Sequence, residues 1–303
     1  MASNGPSGQV TVIVVSYNTA DKLERCLAAV GQDHPVIVVD NASSDGSVEM
    51  ARMKFPWVRL IANEKNLGFG AANNQGLREC KTPLALLLNS DAYADPGAID
   101  RLASVFQDEG VVAAGGRLLN PDRTLQQSSS NQLTLWAVFC EQTGLEKLFP
   151  TSKFWSPYWN SSSFSATGES YQVMGACLMM RPVELFDERF FLYCEDTELC
   201  YRLRKHGKIL YVPEATFIHD LGSSGSGARW RSVAWYNRGK ELYFSIHHGA
   251  MASGCCWVMD RFGALLRVLI SLPLMVVKPS SGVAKLKTFL AVLFAPISGP
   301  ARP

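Results

Sequence analysis

The stretches VTVIVVSYN at residues 10–18 and VIVVDNASSDG at residues 36–46 decide the fold. Each opens with a run of mostly β-branched residues, a pattern typical of strands buried on both faces of a parallel sheet. Between the two runs, Leu23, Leu27 and Val30 recur at the spacing of a helix. The order strand, helix, strand predicts a βαβ unit with a right-handed crossover.

The same alternation continues along the chain. The further predicted elements are a helix at 48–53, strands at 58–62 and 84–88, a helix opened by the Gly- and Asn-rich segment 66–76, and strands at 171–181 and 209–212. Residues 122–170 show no clear period, and we expect a long and partly mobile segment there. The pattern as a whole predicts an α/β fold with a mainly parallel sheet flanked by helices.

Composition excludes several classes of protein. Of the 303 residues, 47% are hydrophobic and 18% are charged, which is enough apolar material for a core and excludes a disordered chain. The net charge of +2 offers no basis for a nucleic-acid partner. The eight cysteines form no C-x-x-C pair, so we expect reduced, mostly buried thiols of a cytosolic protein. Residues 1–8 lack a signal-peptide pattern, and no run of 18 uncharged apolar residues marks a membrane span.

Polar side chains follow four successive predicted strands. The strand ends carry Tyr17-Asn18, Asp40-Asn41, Asn66 and Asn89-Ser90-Asp91. Ligands of open α/β sheets bind at the carboxyl ends of the strands. A single Asp there is often only a helix cap, but four consecutive polar ends favour a binding site. The carboxylates of Asp40 and Asp91 suit a ribose, a base N–H group or a hard divalent cation. Because no G-x-G-x-x-G motif follows the first strand and no Walker A motif is present, a dinucleotide or P-loop site is not supported.

Two further groups of residues contain side chains suited to catalysis or metal binding. Glu195, Asp196 and Glu198 stand at the start of a predicted helix, after the apolar lead-in Phe191-Leu192-Tyr193. Such acids often only complement the helix dipole. However, desolvation and like charge would raise the pKa of one carboxyl group and make it a general base for a hydroxyl nucleophile. His219 follows a short strand, where a lone histidine is more often structural; beside a carboxylate metal site it becomes a candidate ligand.

Taken together, these motifs resemble the family 2 glycosyltransferases. The resemblance rests on VIVVSYN at 12–18, VVDNASSDG at 38–46, NLGF at 66–69 with Asn73, Asn74 and Gly76, LLNSD at 87–91 with Pro96, and FLY at 191–193 with Glu195-Asp196, Glu198-Leu199-Cys200 and Arg202. Within the family, the chain looks most like the bacterial rhamnosyltransferase-type branch, and the match spans roughly residues 10–245.

The resemblance implies a GT-A fold, which is Rossmann-like. It also implies inverting transfer of a sugar from a nucleoside diphosphate donor (dTDP- or UDP-linked) with the help of Mg²⁺ or Mn²⁺. The residues that it places at the nucleotide-sugar are Ser16, Tyr17, Asn18, Asp40, Asn41, Asn66, Gly68, Asn73, Ser90 and Asp91. Asp91 matches the metal-binding Asp of the family and His219 the late metal or diphosphate contact. The usual D-x-D motif reads Asp91-Ala92-Tyr93 here, so its second carboxylate is absent.

On the acceptor side, the resemblance gives Asp196, with Glu195 beside it, the position of the catalytic base. Gly175 would let the acceptor approach closely, since it has no side chain. Arg229 and Trp230 open a stretch that mixes cations with aromatic residues. That stretch is either an ordinary amphipathic helix surface or a clamp in which Arg229 holds the diphosphate and Trp230 meets the acceptor. The preceding segment 222–227 is a candidate loop that closes over the donor.

The C-terminal region has a different pattern. Residues 262–277 are apolar except for Arg267 and are interrupted by Pro273, while Asp260, Ala264, Arg267 and Ser271 share one narrow helical face. A second apolar stripe between 283 and 297 has Lys285 and Lys287 near its start. Three interpretations are open: helices packed on the catalytic domain, helices lying in the plane of a membrane surface, and a membrane span. We favour the second, because basic residues flank apolar runs that are too short to span.

We therefore expect a GT-A domain at 1–225, with a nucleotide-sugar half at 10–120 and an acceptor half at 121–225, and a C-terminal helical, membrane-associating extension at 226–303. The enzyme would sit in the cytoplasm on the inner face of the cell membrane. There it would transfer a sugar, with rhamnose suggested by the resemblance, to a polyprenyl-diphosphate-linked or polysaccharide acceptor for the cell surface. The alternatives are a nucleotidyltransferase, which would need a glycine-rich basic first turn, and a nucleotide-sugar-binding relative without turnover.

Overall fold

A computed structural model describes residues 9–220 and 229–296. These residues form two compact units. The first unit comprises 9–131, 159–191 and 195–220, and the second comprises 132–158, 192–194 and 229–296. The predicted domain boundary at residue 225 and the candidate loop at 222–227 lie outside the described residues, and the predicted division into domains stays a prediction.

The first unit alternates strands and helices, as the sequence predicts. Its elements are β1 (Val10–Ser16), α1 (Ala20–Val30), β2 (Val36–Asp40), α2 (Ser47–Lys54), β3 (Arg59–Ala62), α3 (Phe69–Glu79), β4 (Leu84–Asn89), β5 (Ala92–Ala94), α4 (Ala98–Ser104), β6 (Val111–Leu119) and β7 (Ser129–Ser130). After the excursion into the second unit by α5 (Leu135–Thr143) and α6 (Leu145–Leu148), it continues with β8 (Gly168–Glu169), β9 (Gln172–Val173), β10 (Cys177–Met180), α7 (Glu195–Leu203) and β11 (Lys208–His219).

The main sheet has the strand order β3-β2-β1-β4-β10-β6-β11-β5, with β8 beside β11. Strands β1 to β4 are parallel to one another, and β11 is parallel to β6. Strand β10 lies antiparallel between β4 and β6, and β5 pairs antiparallel with β11. The expected sheet flanked by helices is therefore present, and its second half is mixed.

Both faces of the sheet are covered by helices, which explains why β1 reads as a continuous apolar run. Alternate side chains of a strand point to opposite faces. Val12 and Val14 accordingly join the cluster that contains Leu23 and Leu27 of α1. Ile13 joins the opposite cluster with Leu77 of α3 and with residues of α7.

Two expectations need correction. The single strand predicted at 171–181 is divided into β9 and β10, because residues 174–176 turn between them; β9 pairs with β7 in a separate two-stranded sheet. The segment 122–170 contains the helices α5 and α6 rather than irregular structure alone. Its aromatic side chains pack on one another around Trp136, whose ring centroid lies 4.9 Å from that of Phe154. Such a cluster stabilises helices that are too short to show a clear period.

The second unit is completed by α8 (Arg229–Val277) and α9 (Pro279–Leu293). Helix α8 is interrupted at Gly249, whose φ of 85° and ψ of 172° are not helical. The two halves fold back on each other, since Lys240 Nζ lies 2.7 Å from Asp260 Oδ1, whereas 20 residues of straight helix would separate them by about 30 Å. The apolar run continues as helix through Pro273 to Val277, so the interruption expected at Pro273 is absent.

A buried charge cluster holds this hairpin. The Lys240 side chain is completely buried and also lies 3.1 Å from Glu141 Oε2 of α5. Burial alone would lower the pKa of Lys240, but the charges of Asp260 and Glu141 raise it above its usual value. Asp260, Ala264 and Ser271 are all buried, so the narrow face that the sequence singled out is the inward face of α8.

Among the described residues, no helix is both long and apolar enough to cross a membrane.

Six of the eight cysteines are buried, and the other two are Cys80 and Cys255. The expectation that most of the cysteines are buried is therefore confirmed, whereas their reduced state stays a prediction.

The packing of α3 on β1 depends on Gly76. A Cβ atom at this position would lie 2.5 Å from Ile13 Cγ2. We predict that Gly76→Ala destabilises the fold by about 1–3 kcal/mol through overpacking, and that thermal melting detects the loss. Gly254→Ala is the matched control: a Cβ there meets open space within helical backbone and should stabilise by about 0.5–1 kcal/mol. Equal melting temperatures for the two variants would contradict this account of α3.

Candidate active site

The carboxyl ends of β1, β2 and β4 meet at one edge of the sheet because these strands are parallel, and Ser16 is in register with Asp40. Asp40 is buried, and its Oδ1 accepts a hydrogen bond from Ser43 N at 2.9 Å. Its Oδ2 is also buried and has no partner among the described residues. An unpaired buried carboxylate oxygen is costly, so Asp40 Oδ2 is available to accept a hydrogen bond from a ligand.

Asn41 and Asn66 organise the loop before α3. The Asn41 amide donates to Asn66 Oδ1 at 2.9 Å, and its carbonyl oxygen accepts from Leu67 N at 2.9 Å. Asn66 Oδ1 also accepts from Gly68 N. Gly68 has a φ of 92°, and a Cβ there would lie 2.5 Å from Phe191 O. The loop therefore passes directly against the segment that leads to α7.

The remaining residues predicted at the nucleotide-sugar have different local roles. Asn73 is buried within α3 and donates to Phe69 O. Asn18 is exposed, and its Oδ1 accepts from Ser44 N, which ties the end of β1 to the loop after β2. Ser16, Thr19 and Ser90 form a chain of hydroxyl groups with oxygen separations of 3.0 and 2.9 Å. Tyr17 is half-buried beside them in sequence.

Asp91 and His219 form a buried pair. Strand register places His219 opposite Ala92, and His219 Nε2 lies 3.2 Å from Asp91 Oδ1. His219 Nδ1 lies 2.7 Å from Gln126 Oε1. The Gln126 amide nitrogen donates to Asn120 Oδ1 and to His219 O, so its oxygen is the atom that faces the ring. Nδ1 of His219 therefore donates, and in the neutral ring Nε2 keeps its lone pair on the side of Asp91.

This pair fits a divalent cation in its chemistry. A metal-binding histidine usually donates its other ring N–H group to an acceptor such as an amide or carboxylate oxygen. Mg²⁺ is commonly held by one or two carboxylates together with phosphate oxygens of a substrate. The described residues contain no cluster of three or more His, Cys, Asp or Glu side chains that would hold a metal on their own. Asp91 and His219 could therefore provide only some of the ligands of such a cation.

Asp196 lies at the start of α7 and is half-buried. Its Oδ2 accepts from Gly175 N at 2.9 Å, and its Oδ1 accepts from Thr197 N at 2.8 Å. Burial raises the pKa of Asp196 above its ordinary value, although both hydrogen bonds favour the charged form. A Cβ atom on Gly175 would lie 3.3 Å from Asp196 Cβ and from Phe69 Cε1. A side chain at Gly175 would therefore crowd Asp196 and the Phe69 ring.

Glu195 is fully buried, and its Oε2 has no hydrogen-bond partner among the described residues. Burial and the adjacent charge of Asp196 raise the pKa of Glu195 to about 8. At neutral pH, Glu195 is thus mainly protonated. A carboxyl group with a raised pKa beside a second carboxyl group is a frequent arrangement in acid–base catalysis.

Helix α7 is fixed by an ion-pair network that involves Arg202. Arg202 donates to both oxygens of Glu198 at 2.8 Å and also binds Glu184. Glu198 is buried, and the Oε1 atom of Glu184 lies 2.8 Å from His206 Nε2. Bidentate contacts of this kind are the most specific ion pairs, and they hold the helix that carries Asp196.

A chain of contacts connects Asp196 with the Asp91–His219 pair. Gly175 N donates to Asp196, the next carbonyl, Ala176 O, accepts from Asn89 N at 3.1 Å, and Asn89 Nδ2 lies 3.3 Å from His219 Nε2. All of these residues belong to the first unit. Three of the sequence-predicted groups, namely the base, the acceptor-side glycine and the metal pair, are therefore brought together.

Two predicted residues lie in the second unit, at the start of α8. Arg229 is exposed and Trp230 is half-buried; the guanidinium of Arg231 lies 5.7 Å from the Trp230 ring centroid. Their roles toward the diphosphate and the acceptor stay predictions.

Sequence reasoning missed Gln126 and Lys22. Gln126 orients His219 across 93 positions of the chain, and Lys22 Nζ binds both Asp220 O and Asp220 Oδ2 at 2.9 Å. No local pattern marks either residue, because their importance comes only from partners distant in sequence.

The sequence model for glycosyl transferase family 2 matches residues 11–190, and the chain belongs to this family. It is a glycosyltransferase. A similar protein is the N-acetylglucosaminyl-diphospho-decaprenol L-rhamnosyltransferase of Mycobacterium tuberculosis, with 28% identity over 261 residues that cover 78% of this chain and 84% of the relative. The succinoglycan biosynthesis protein ExoO of Rhizobium meliloti is 32% identical over 140 residues, which cover 42% and 40% of the two chains.

Solved structures show the same fold. The mannosyltransferase PcManGT from Pyrobaculum calidifontis, in complex with GDP-Man and Mn²⁺, aligns with a TM-score of 0.55 and 14% identity over 94% of this chain and 85% of that chain. GalNAc-T7 with UDP, GalNAc and Mn²⁺ aligns with a TM-score of 0.55 and 15% identity over 86% of this chain, which spans about half (54%) of that structure. The expected GT-A fold is confirmed, as is membership in family 2. The presence of Mn²⁺ in these neighbours is consistent with a divalent metal in the family fold.

The raised pKa of Glu195 gives a pH-dependent contribution to stability. Its folded-state pKa of about 8 lies above the ordinary value of 4.5, so the folded state binds a proton that the unfolded state releases. This contribution is fully present below pH 4.5 and is lost as the pH rises through 8. We predict that Glu195→Gln, which resembles the protonated acid, shows a smaller fall in melting temperature between pH 5 and pH 9 than the wild type.

Glu64→Gln is the matched control, because Glu64 is an exposed carboxylate of the same unit. Its melting temperature should follow the wild-type pH profile. Parallel profiles for the wild type and Glu195→Gln would show that Glu195 is not protonated in the folded state.

Proposed function

We propose that the protein is an inverting glycosyltransferase that moves a sugar from a dTDP- or UDP-linked donor to a hydroxyl group of a lipid-linked or polysaccharide acceptor. The contact chain from Asp196 through Gly175, Ala176 and Asn89 to His219 and Asp91 carries this proposal. It brings a carboxylate of raised pKa close to a pair suited to a metal-bound diphosphate. The similarity to a rhamnosyltransferase whose name specifies a diphospho-decaprenol compound supports a lipid-linked acceptor and rhamnose as the sugar.

Asp196 acts as the general base in this proposal. Its carboxylate, held by Gly175 N and Thr197 N, takes the proton of the acceptor hydroxyl as the hydroxyl oxygen attacks the anomeric carbon. The bond from that carbon to the diphosphate breaks on the opposite face, and a single displacement inverts the configuration. No covalent sugar–enzyme intermediate is needed, unlike in the two-step route of retaining glycosidases. Because Glu195 stays protonated at neutral pH, it adds no second negative charge beside the base.

The donor side is assigned to the edge formed by β1, β2 and β4. Asp40 Oδ2 would accept the base N–H group, since it is a buried carboxylate oxygen at this edge that has no partner among the described residues. Asp91 and His219 would hold Mg²⁺ or Mn²⁺ together with diphosphate oxygens, and the cation would neutralise charge that develops on the leaving group. Gln126 Oε1 accepts a hydrogen bond from Nδ1 of His219, so the neutral ring directs the lone pair of Nε2 toward Asp91. Asn41 and Asn66 hold the loop at Gly68 in place.

A lipid-linked acceptor would bring the enzyme to the inner face of the cell membrane, as the sequence analysis predicts. The proposed setting is the synthesis of a cell-wall or surface polysaccharide. It is supported by the similarity to an N-acetylglucosaminyl-diphospho-decaprenol L-rhamnosyltransferase and to a succinoglycan biosynthesis protein.

Replacement of the base tests the catalytic assignment. We predict that Asp196→Asn lowers the rate of sugar transfer by about 10²–10⁴-fold and leaves the donor affinity within a few-fold of the wild type, because Asp196 faces the acceptor. The rate is measured as release of nucleoside diphosphate in the presence of a polyprenyl-diphosphate sugar acceptor. Asp33→Asn, at an exposed carboxylate of the same unit, should transfer sugar at the wild-type rate. Equal rates for Asp196→Asn and the wild type would refute the base assignment.

Calorimetric titration with UDP, dTDP and GDP, each with Mn²⁺ or with EDTA, tests the donor site. We predict that Asp91→Ala removes the part of the affinity that depends on Mn²⁺. Asp40→Ala should weaken pyrimidine nucleotide binding by about 1.5–3 kcal/mol, the value of a hydrogen bond to a charged group, with Mn²⁺ and with EDTA alike. Donor binding without turnover of any acceptor would favour a non-catalytic nucleotide-sugar-binding protein. Identical metal dependence in Asp91→Ala and the wild type would exclude the metal role of Asp91.

A further inference from the structure

The second half of α8, residues 250–277, directs its polar side chains toward the interior of the second unit. Asp260 and Ser271 are each 1% exposed, and Asp260 binds Lys240. The two arginines of this half also turn inward: Arg261 donates to Ala295 O, and Arg267 donates to Gln142 O. The charged and polar groups of residues 250–277 therefore find their partners within the second unit.

Its outward face is apolar. Seven exposed, large apolar side chains recur along it at intervals of three, four or seven residues. They are Met251, Val258, Phe262, Leu265, Leu269, Leu272 and Val276, and we call this set the outer stripe. Exposure ranges from 43% at Leu265 to 85% at Met251. These intervals keep the side chains on one helical face over about 38 Å at 1.5 Å per residue. A surface helix of a water-soluble protein has the opposite arrangement, with its apolar face buried and its polar face exposed.

The charges next to the outer stripe are positive. The sequence contains no Asp or Glu between residue 261 and residue 303. Lys278, Lys285 and Lys287 are exposed where α8 ends and along α9. An extended apolar stripe beside a cationic end matches the boundary between anionic lipid headgroups and acyl chains.

We infer that the outer stripe of α8 lies in the surface of an anionic bilayer, parallel to the membrane plane, with Lys278, Lys285 and Lys287 at the headgroups. A second copy of the chain would cover the apolar residues as well, but the same region of that copy provides no carboxylate for the three lysines. A bilayer that contains anionic lipid satisfies both features. The inference rests on the proposed function in one respect: a lipid-linked acceptor gives the enzyme a reason to bind a membrane.

Vesicle co-sedimentation of the full chain tests this inference, with vesicles of phosphatidylcholine alone and of phosphatidylcholine with phosphatidylglycerol. The wild type should bind the anionic vesicles more tightly, and added salt should weaken that binding. The double variant F262E/L269E should lower the partition coefficient at least tenfold, because it places two carboxylates on the outer stripe. The triple variant K278Q/K285Q/K287Q should lose affinity for anionic vesicles only, by about fivefold per lysine.

The matched control is M53E/L148E, which adds the same charge at two exposed apolar residues outside the outer stripe; its vesicle binding should fall far less than that of F262E/L269E. Circular dichroism and thermal melting would show that all variants are folded. Equal vesicle binding by F262E/L269E and the wild type, or no binding by the wild type, would overturn the inference. A wild-type dimer in analytical ultracentrifugation that F262E/L269E converts to a monomer, without vesicle binding, would assign the stripe to a second copy instead.

Nucleotide titration of the same preparations separates this inference from the proposed function. Vesicle binding without binding of any nucleoside diphosphate would leave the membrane surface in place and reject the donor site. Donor binding and sugar transfer without vesicle binding would support the transferase and reject the membrane surface. The variants F262E/L269E and M53E/L148E should both bind nucleotide as the wild type does, since none of these residues belongs to the candidate active site.

Discussion

The active site depends on the antiparallel placement of β10 between β4 and β6. This placement forces the chain to turn at Gly175 and Ala176, directly beside the end of β4, where Ala176 O accepts the hydrogen bond of Asn89 N. From that turn, Gly175 N reaches Asp196. Asn89 reaches His219 on the other side. One antiparallel strand in a largely parallel half-sheet thus connects Asp196, the proposed base, with Asp91 and His219, the proposed metal-diphosphate pair.

The charge states of Glu195 and Asp196 decide whether the candidate site can work at neutral pH. Two adjacent acids at a helix start would repel each other if both were charged. Burial and the adjacent Asp196 raise the pKa of Glu195 to about 8, so Glu195 is mainly protonated at neutral pH. Arg202 and Glu198 hold the helix below them. Asp196, the proposed base, is therefore held in a fixed orientation, with backbone hydrogen bonds from Gly175 N and Thr197 N to its two oxygens.

In the second unit, a different interaction decides which helix face is inside. Burial of a charged group is costly unless it is paired, and Lys240 is paired with Asp260 at 2.7 Å and with Glu141 at 3.1 Å. The pairing holds the halves of α8 together across Gly249. As a consequence, the polar residues of the second half are directed inward and its apolar residues outward.

Much of the first unit follows from the sequence by itself. The apolar runs at 10–15 and 36–39 predict buried strands, and the spacing of Leu23 and Leu27 predicts the helix between them. Both signals are local in the sequence. The polar strand ends and the acids at 195–198 mark the candidate site for the same reason. Tertiary structure alone decided the pairing of Gln126 with His219, the division of 171–181 into two strands, the helices within 132–158 and the inward direction of Asp260. Each of these depends on contacts between distant parts of the chain, whose energies no local pattern encodes.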